Sequence, residues 1–371
     1  MNIQPVTTAD DLRRFIRFPY MLYRGDPNWV PWLKSEQKAL FNPRKNAMLG
    51  HCEYALFLLC DDNKVIGRIA AFYDKQAISY WNEPIGLFGS YECINDTGAS
   101  QMLLQTASDW LRAQGMQTMR GPWSFSSQEW GIVVEGFSPP PVILAPYNPP
   151  WYVTQFADFG LKKAKDLLVF YGDTREGYAI PERFSTFSEM IRQKHGVTVR
   201  ILDRERLAYD VQCLVRLTNQ AIADNWGYYP VGEEEAQEIA RSLKRIVDPE
   251  MVFIAENEQA EAVGFAMSLP DINQLLKNLN GRLLPLGWFH LLTGMKRITQ
   301  YRMWGLGIVP SYQGKAIDVL LYLATYEALK KRGARLEINY VLEDNYRMLN
   351  ALIRLKVKPL RRYRVYEREI S

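Results

Sequence analysis

The sequence is short of the residues that hold metals and disulfides. It has four cysteines and three histidines in 371 residues. Cys52, Cys60, Cys93 and Cys213 show no CxxC spacing and the histidines are scattered, so no metal and a reducing compartment are expected. No apolar run reaches the roughly 18 residues of a membrane span. The opening MNIQPVTTADDLRR carries acids where an export signal needs an apolar core, which leaves the cytoplasm as the expected location. Low-complexity tracts are missing. So is a charge imbalance: 45 basic against 41 acidic side chains leave +4, too little to argue for a nucleic-acid partner. What is present is a globular composition, 47% apolar and 23% charged, at a length that suits two domains.

Two stretches repeat one order of elements. In the first, EYALFLLCDDNKVIGRIAAFYD reads as two strands joined at Asp61-Asp62-Asn63. PIGLFGSYECI is a third strand, and GASQMLLQTASDWLRAQG is an amphipathic helix stopped by glycine. QTMRGPW is a strand, WYVTQFADFG a short helix, and KKAKDLLVFY a last strand. In the second, MVFIAENEQAEAVGFAMSL is a hairpin turning near Asn257 and YRMWGLGIV is the next strand. IDVLLYLATYEALKKRG is a helix with Asp near its start and Lys-Lys-Arg-Gly at its end, both favourable for the macrodipole. ARLEINYVL, NYRMLNALIRL and KPLRRYRVYERE complete the set as strand, helix and strand. The fold class expected is α/β (α+β), a duplicated unit over residues 1–175 and 183–371, each a mixed, mostly antiparallel sheet flanked by helices. The Gly-, Pro- and charge-rich join lies near 172–182.

The stretch VPSYQGKAIDVLL, residues 309–321, has the outline of an anion-cradling turn. A helix N-terminus offers free N–H groups and about half a positive charge, which suits a pyrophosphate. Glycine lets the backbone approach closely. Gln313, Gly314 and Lys315 meet that need, Lys315 adds charge, and Ala316 and Ile317 lead into the helix. Ala316 costs little if its φ stays negative. Asp318 is the difficulty, because two like charges about 5 Å apart cost roughly 3 kcal/mol at an effective dielectric of 20. Either it caps its own helix, or its side chain points aside and leaves the amides open. The matching INDTGASQML has Asp96 and no basic residue, so phosphate binding is not expected there.

The element order, with GLGIVPSYQGKAIDVLLYLATYEALKKRGARLEINYVLEDN, resembles the GCN5-related N-acetyltransferase (GNAT) superfamily over about residues 185–371, and by element order over 1–175. The family loop Q/R-x-x-G-x-G/A reads here as Gln313-Gly314-Lys315-Ala316-Ile317-Asp318. The tandem arrangement is similar to bacterial two-domain acetyltransferase-like proteins, and to tandem relatives that transfer amino acids or long acyl chains. The resemblance implies attack of an amine on the thioester of acetyl-CoA or another acyl-CoA. The donor's pantetheine arm would lie along Leu306, Gly307, Ile308 and Val309. A base takes the amine proton and an acid protonates the thiolate. The family's usual acid, a tyrosine on the late helix, falls on Leu352 here, and its glycine falls on Lys356. Glu343 is then a replacement base or, with Asp344, part of a helix cap. Tyr340 is a replacement acid or a core residue, and Asn345 a cofactor contact or an N-cap.

Two further stretches stand out. GPWSFSSQEWGIVVEGFSPPPVILAPYNPPWY sets Trp123, Trp130, Tyr147, Asn148, Trp151 and Tyr152 among prolines. Trp123, Tyr147, Asn148 and Tyr152 are its candidate substrate contacts, against a covering loop whose aromatics complete the core. PDINQLLKNLNGRLLPLGWFHLLTGMKRI reads as two amphipathic helices broken at Asn280-Gly281 and Pro285, packed on the domain or serving as a lid, a dimer contact or a wall for an acyl chain. Three functions remain: an acyl-CoA-dependent N-acyltransferase for a small-molecule or peptide amine; a non-catalytic relative binding a metabolite or partner between its halves; and a transferase using aminoacyl-tRNA or a long-chain acyl carrier. Homo-oligomerisation stays open.

Overall fold

The computed structural model describes residues 1–126, 130–244, 246–283 and 287–370. In chain order the elements up to the join are β1 (Asn2–Pro5), α1 (Ala9–Leu22), α2 (Lys34–Leu40), β2 (Cys52–Asp61), β3 (Lys64–Asp74), α3 (Lys75–Trp81), β4 (Ile85–Cys93), α4 (Thr97–Ala113), β5 (Thr118–Gly121), β6 (Ile132–Glu135), α5 (Trp151–Asp158) and β7 (Lys162–Asp173). After it come α6 (Arg183–His195), β8 (Thr198–Ile201), α7 (Leu207–Ala221), α8 (Glu233–Leu243), β9 (Val252–Glu256), β10 (Ala262–Pro270), α9 (Asn273–Leu276), α10 (Gly287–Gly294), β11 (Gln300–Ile308), α11 (Ile317–Arg332), β12 (Arg335–Leu342), α12 (Tyr346–Leu355) and β13 (Lys358–Glu369).

The chain divides into two compact units. One holds residues 1–167, 275–291 and 361–371, the other residues 168–274 and 292–360. The expected split at 1–175 and 183–371 therefore needs two corrections. Residues 362–369 of β13 are hydrogen-bonded antiparallel to β5 and β6, which ties the last strand to the first unit. The segment around Gly281 docks there too. Its carbonyl accepts from Lys34 N–H at 3.0 Å, and Gly281 adopts φ +71 with the position of a Cβ only 2.5 Å from the Trp32 carbonyl oxygen. No larger residue fits that approach.

Within the first unit the strand order is β1-β2-β3-β4-β5-β13, with β6 also on β13. All the pairs named here are antiparallel except β4–β5, where Ile85 faces Thr118. The second unit has β12-β11-β10-β9-β8, with β11–β12 parallel from Gln300 opposite Arg335. Each parallel pair is bridged by a helix, α4 or α11, as a parallel connection requires. This is the duplicated order read from the sequence. Leu103, Leu104, Ala107 and Leu111 of α4 pack on Phe88 and Phe156 in the first core. Leu329 of α11 packs with Ile338 and Leu352 in the second.

Of the two helices expected after Pro270, α9 is a single turn and α10 has eight residues. Pro285 lies outside the described residues. Trp288, Phe289 and Leu292 of α10 are exposed, so the packing expected for this segment does not include them.

The first unit carries a buried charge network. Arg68 on β3 and Glu92 on β4 are cross-strand partners and are 2% and 4% exposed. Their charged atoms are 3.7 Å apart. Glu92 accepts from the Tyr23 hydroxyl and from the Tyr152 hydroxyl at 2.8 Å. The Arg68 guanidinium donates to the Phe15 carbonyl at 2.9 Å. Burial first, and the Glu92 charge second, push both tyrosines well above the ordinary phenol range, so both stay protonated and donate. Removing one member strands the other charge away from water. Glu92→Ala is therefore expected to cost about 3–5 kcal/mol in chemical unfolding, while the double replacement Arg68→Met with Glu92→Leu recovers most of it. Equal losses for the single and double variants would contradict this account.

Candidate functional site

The second unit's site begins with a strand that loses its partner. β11 pairs with β12 only from Gln300 to Met303, so from Trp304 onward the two strands part. On its other side β11 stays paired to β10 as far as Ile308, with a bulge at Trp304 where the register slips between Met267 and Ser268. Bulges bend the bulged strand. Leu306, Gly307, Ile308 and Val309 thus have one backbone edge free of β12. Gly307 is required by close packing: a Cβ there would meet the Ala221 Cβ at 2.6 Å and Phe265 at 2.8 Å.

A short turn, Pro310–Tyr312, leads from the strand to α11. Gly314 has φ 77 and Ala316, the residue before the helix, has φ 60. The condition under which Ala316 costs little, a negative φ, is therefore not met. The left-handed conformation costs a non-glycine residue about 1–2 kcal/mol, strain that collects at functional sites. No side chain caps α11. Gln313 N–H bonds to the Pro310 carbonyl and Lys315 N–H reaches the Tyr312 carbonyl at 3.4 Å. Among the described residues no acceptor meets the N–H groups of Gly314, Ala316 or Ile317. Three open amides at a helix N-terminus form an anion cradle.

Side chains brace this cradle. Lys315 lies over the Tyr312 ring at 4.1 Å, and the Tyr312 hydroxyl accepts from Asn257 at 3.3 Å. The Gln313 amide donates to the Ile308 carbonyl at 3.2 Å and accepts from Arg347 at 2.7 Å. Arg347 was not singled out from the sequence, yet it left a signal. A basic residue in the first turn of α12 opposes the macrodipole, which is a local misfit.

Asp318 turns its carboxyl toward the first turn of its own helix, where the backbone N–H groups of Asp318 and Val319 interact with it. Its half-buried carboxyl has a raised pKa, with burial the main cause. Backbone hydrogen bonds from Asp318 and Val319 N–H, and the charges of Arg347 and Arg354, offset this in part. Both arginines therefore lie within electrostatic reach of the cradle. Asn345 does cap α12, accepting from Met348 N–H at 3.0 Å. Lys356, where the family has glycine, is left-handed at φ 59. Leu352 is 1% exposed in the core, so no proton donor stands at the usual tyrosine position. Tyr340, near the end of β12, has its ring 5.1 Å from the Arg302 guanidinium. Glu343 is half-buried in the turn before α12.

The candidate substrate contacts belong to the first unit and are engaged in its packing. Trp123 is 2% exposed and stacks on Trp130 at 4.5 Å. Asn148 exchanges two hydrogen bonds with the Val133 backbone, at 2.7 and 3.2 Å. Tyr147 donates to Asp26 at 2.6 Å, and Tyr152 joins the Glu92 network. Tyr147, Asn148 and Tyr152 thus direct polar atoms to Asp26, the Val133 backbone and Glu92 within the first unit. The first unit's α4 is also closed: the Asp96 carboxylate accepts from Ala99 N–H at 2.7 Å.

No metal was expected from the sequence. The structure gathers His51, Cys52 and Asp74 with ligand atoms within 4.8 Å of one another. Asp74 already accepts from Gln76 and Ala77 N–H as the cap of α3 and sits 2.9 Å from His51 Nδ1. Sequence spacing missed the cluster because Asp74 comes from the next strand. Among the described residues, no helix is long and apolar enough to cross a membrane.

No family model matches the chain. It is 33% identical over 376 residues to Protein YghO of Escherichia coli (strain K12), covering 99% of this chain and 95% of that one. It is 32% identical over 386 residues to a bacterial ceramide synthase of Caulobacter vibrioides, covering 100% and 98%. Among solved structures, a tandem GNAT protein from the clavulanic acid biosynthesis pathway matches with TM-score 0.57 at 13% identity, covering 100% of this chain and 98% of that one. A GCN5-related N-acetyltransferase from Sphaerobacter thermophilus matches with TM-score 0.54 at 13% identity, covering 99% and 96%. At such identities the structures establish the tandem fold.

Two variants test the electrostatics of the cradle. The folded pKa of Asp318 lies above the unfolded value of 3.8, so the native state holds the proton more tightly than the unfolded chain. Its contribution is complete below 3.8 and is lost as pH rises through the raised value. Asp318→Asn is thus expected to melt higher than the wild type at pH 7 and to converge with it near pH 3.8, followed by calorimetry. Ala316→Gly is expected to gain about 1 kcal/mol by removing left-handed strain. A loss of stability would show that Ala316 is not strained.

Proposed function

The chain belongs to the family that includes the bacterial ceramide synthase and YghO, within the GNAT superfamily, and from that premise we propose that it is an N-acyltransferase whose second unit binds a CoA thioester. The observation that carries this reading is the start of α11: among the described residues, no acceptor meets the amides of Gly314, Ala316 and Ile317. Lys315 and Arg347 stand beside them. The donor's diphosphate takes these amides, as oxyanions take helix N-termini, and its pantetheine amides pair with the free edge of Leu306–Val309. Gln313 steadies the loop, and Asn345 supports it by capping α12. Asp318 lowers affinity when ionised.

In the reaction the amine nitrogen attacks the thioester carbonyl carbon, the C–S bond breaks, and an amide forms. Glu343 is the proposed base for the amine proton. Tyr340 is the proposed donor to the departing thiolate, since Leu352 carries no proton to give. The relative's name, ceramide synthase, denotes formation of an amide between a long-chain acyl group and a long-chain amine. On that ground the donor is proposed to be a long-chain acyl-CoA and the acceptor a small amphiphilic amine.

Isothermal calorimetry with CoA tests the first step. Lys315→Glu and Arg347→Ala are each expected to weaken binding about tenfold, or about 1.4 kcal/mol. Glu343→Gln is expected to lower kcat by a factor of about 10²–10⁴ with KM little changed. CoA binding without amide formation from any acyl-CoA and amine would point to the non-catalytic reading, and no CoA binding at all would end both.

A further inference from the structure

α7 and α8 close over one face of β10 and β11 and leave a narrow cavity between them. It leaves about 70 Å³ of space for water-sized groups and opens in part to solvent. Val211 and Val215 of α7, Ala236 and Ala240 of α8, Met267 of β10 and Trp304 of β11 are among the residues that line it. The surface turned inward is wholly apolar. Three polar residues contribute to the wall, Thr218, Asn219 and Lys244; the Thr218 hydroxyl donates to the Leu214 carbonyl at 2.7 Å, and Asn219 accepts from the Tyr228 hydroxyl at 2.5 Å. Protein interiors leave few voids larger than a water molecule, and apolar ones cost stability. An apolar space of this size is therefore either a packing fault or a place for an apolar ligand.

Its position favours the ligand. Trp304 is the bulge residue of β11, and the same strand continues two residues later as the Leu306–Val309 edge. α7, the opposite wall, presses Ala221 against the position of a Gly307 Cβ. The cavity thus adjoins the strand assigned to the donor's arm. We propose that it binds the unbranched alkyl chain of the acyl donor and that Val215, Ala240 and Trp304 set the chain length accepted. This rests on the reading of the second unit as a CoA-thioester site, and deepens it. A narrow space whose exposed surface is apolar fits methylenes and disfavours charged or hydroxylated acyl groups.

The test uses the full chain with acyl-CoA thioesters from acetyl to stearoyl. Affinity is expected to rise about threefold to fourfold per added methylene until the cavity is full. Val215→Phe and Ala240→Phe, which fill it from opposite helices, are expected to move the optimum to shorter chains while leaving acetyl-CoA affinity within about twofold. Retained acetyl-CoA binding also shows that each variant folds. Higher melting temperatures with an unchanged chain-length profile would identify a packing fault and overturn the proposal. A shift in preference among amine chain lengths, with the acyl profile unmoved, would also overturn it, assigning the cavity to the acceptor. If the wild type binds no CoA thioester, the reading of the loop has failed; free palmitate, bound by the wild type and not by the two variants, then still decides the cavity, and palmitate bound equally or not at all rejects it.

Discussion

The site of the second unit depends on how α11 begins. A helix must dispose of its first N–H groups, and most do so with a side-chain acceptor. α11 instead starts from a left-handed alanine with no cap, and the strain at Ala316 holds the amides of residues 314, 316 and 317 open. Around this start stand the groups that suit an anion. Lys315 is steadied on Tyr312, Gln313 is clamped between Ile308 and Arg347, and burial raises the pKa of the Asp318 carboxyl. The parting of β11 from β12 after Met303 supplies the second requirement, a backbone edge free of β12 that leads to the helix.

The first unit shows the same architecture with both features closed. Counting from the first parallel pair, Glu92 on β4 stands where Gly307 stands on β11. In place of a glycine packed against Ala221 and Phe265 there is a buried carboxylate, tied down by Tyr23, Tyr152 and Arg68. The helix that follows is capped by Asp96. A charge in the strand and a carboxylate on the helix amides occupy the places that in the second unit hold Gly307 and the helix start. Duplication has therefore kept the fold in both units and the open helix start in one, and the aromatic-rich segment of the first unit has become core.

Much of this was legible in the sequence because it is local. Hairpin turns at Asp62 and Asn257, the amphipathic periods of α4 and α11, and the glycine after Arg332 act over a few residues. They gave the repeat, the element order and the loop at 309–321. The roles of Asn148 and Tyr152 were not legible. Their partners, the Val133 backbone and Glu92, are brought to them by folding, and an aromatic among prolines looks the same whether it faces a ligand or a core. The exposure of Trp288, Phe289 and Leu292 was hidden for the same reason.

The sequence by itself determined two α/β repeats, the absence of a long apolar span, and a glycine- and lysine-bearing turn before an apolar helix. Only the tertiary structure decided which helix start stayed open, that Arg347 reaches back to the turn from the next helix, that the last strand pairs within the first unit, and that α7 and α8 leave an apolar space beside β11. Propensity and capping are set by neighbours in the chain. Open amides, charge neighbours and cavities are set by which distant segments pack, and that depends on the whole core.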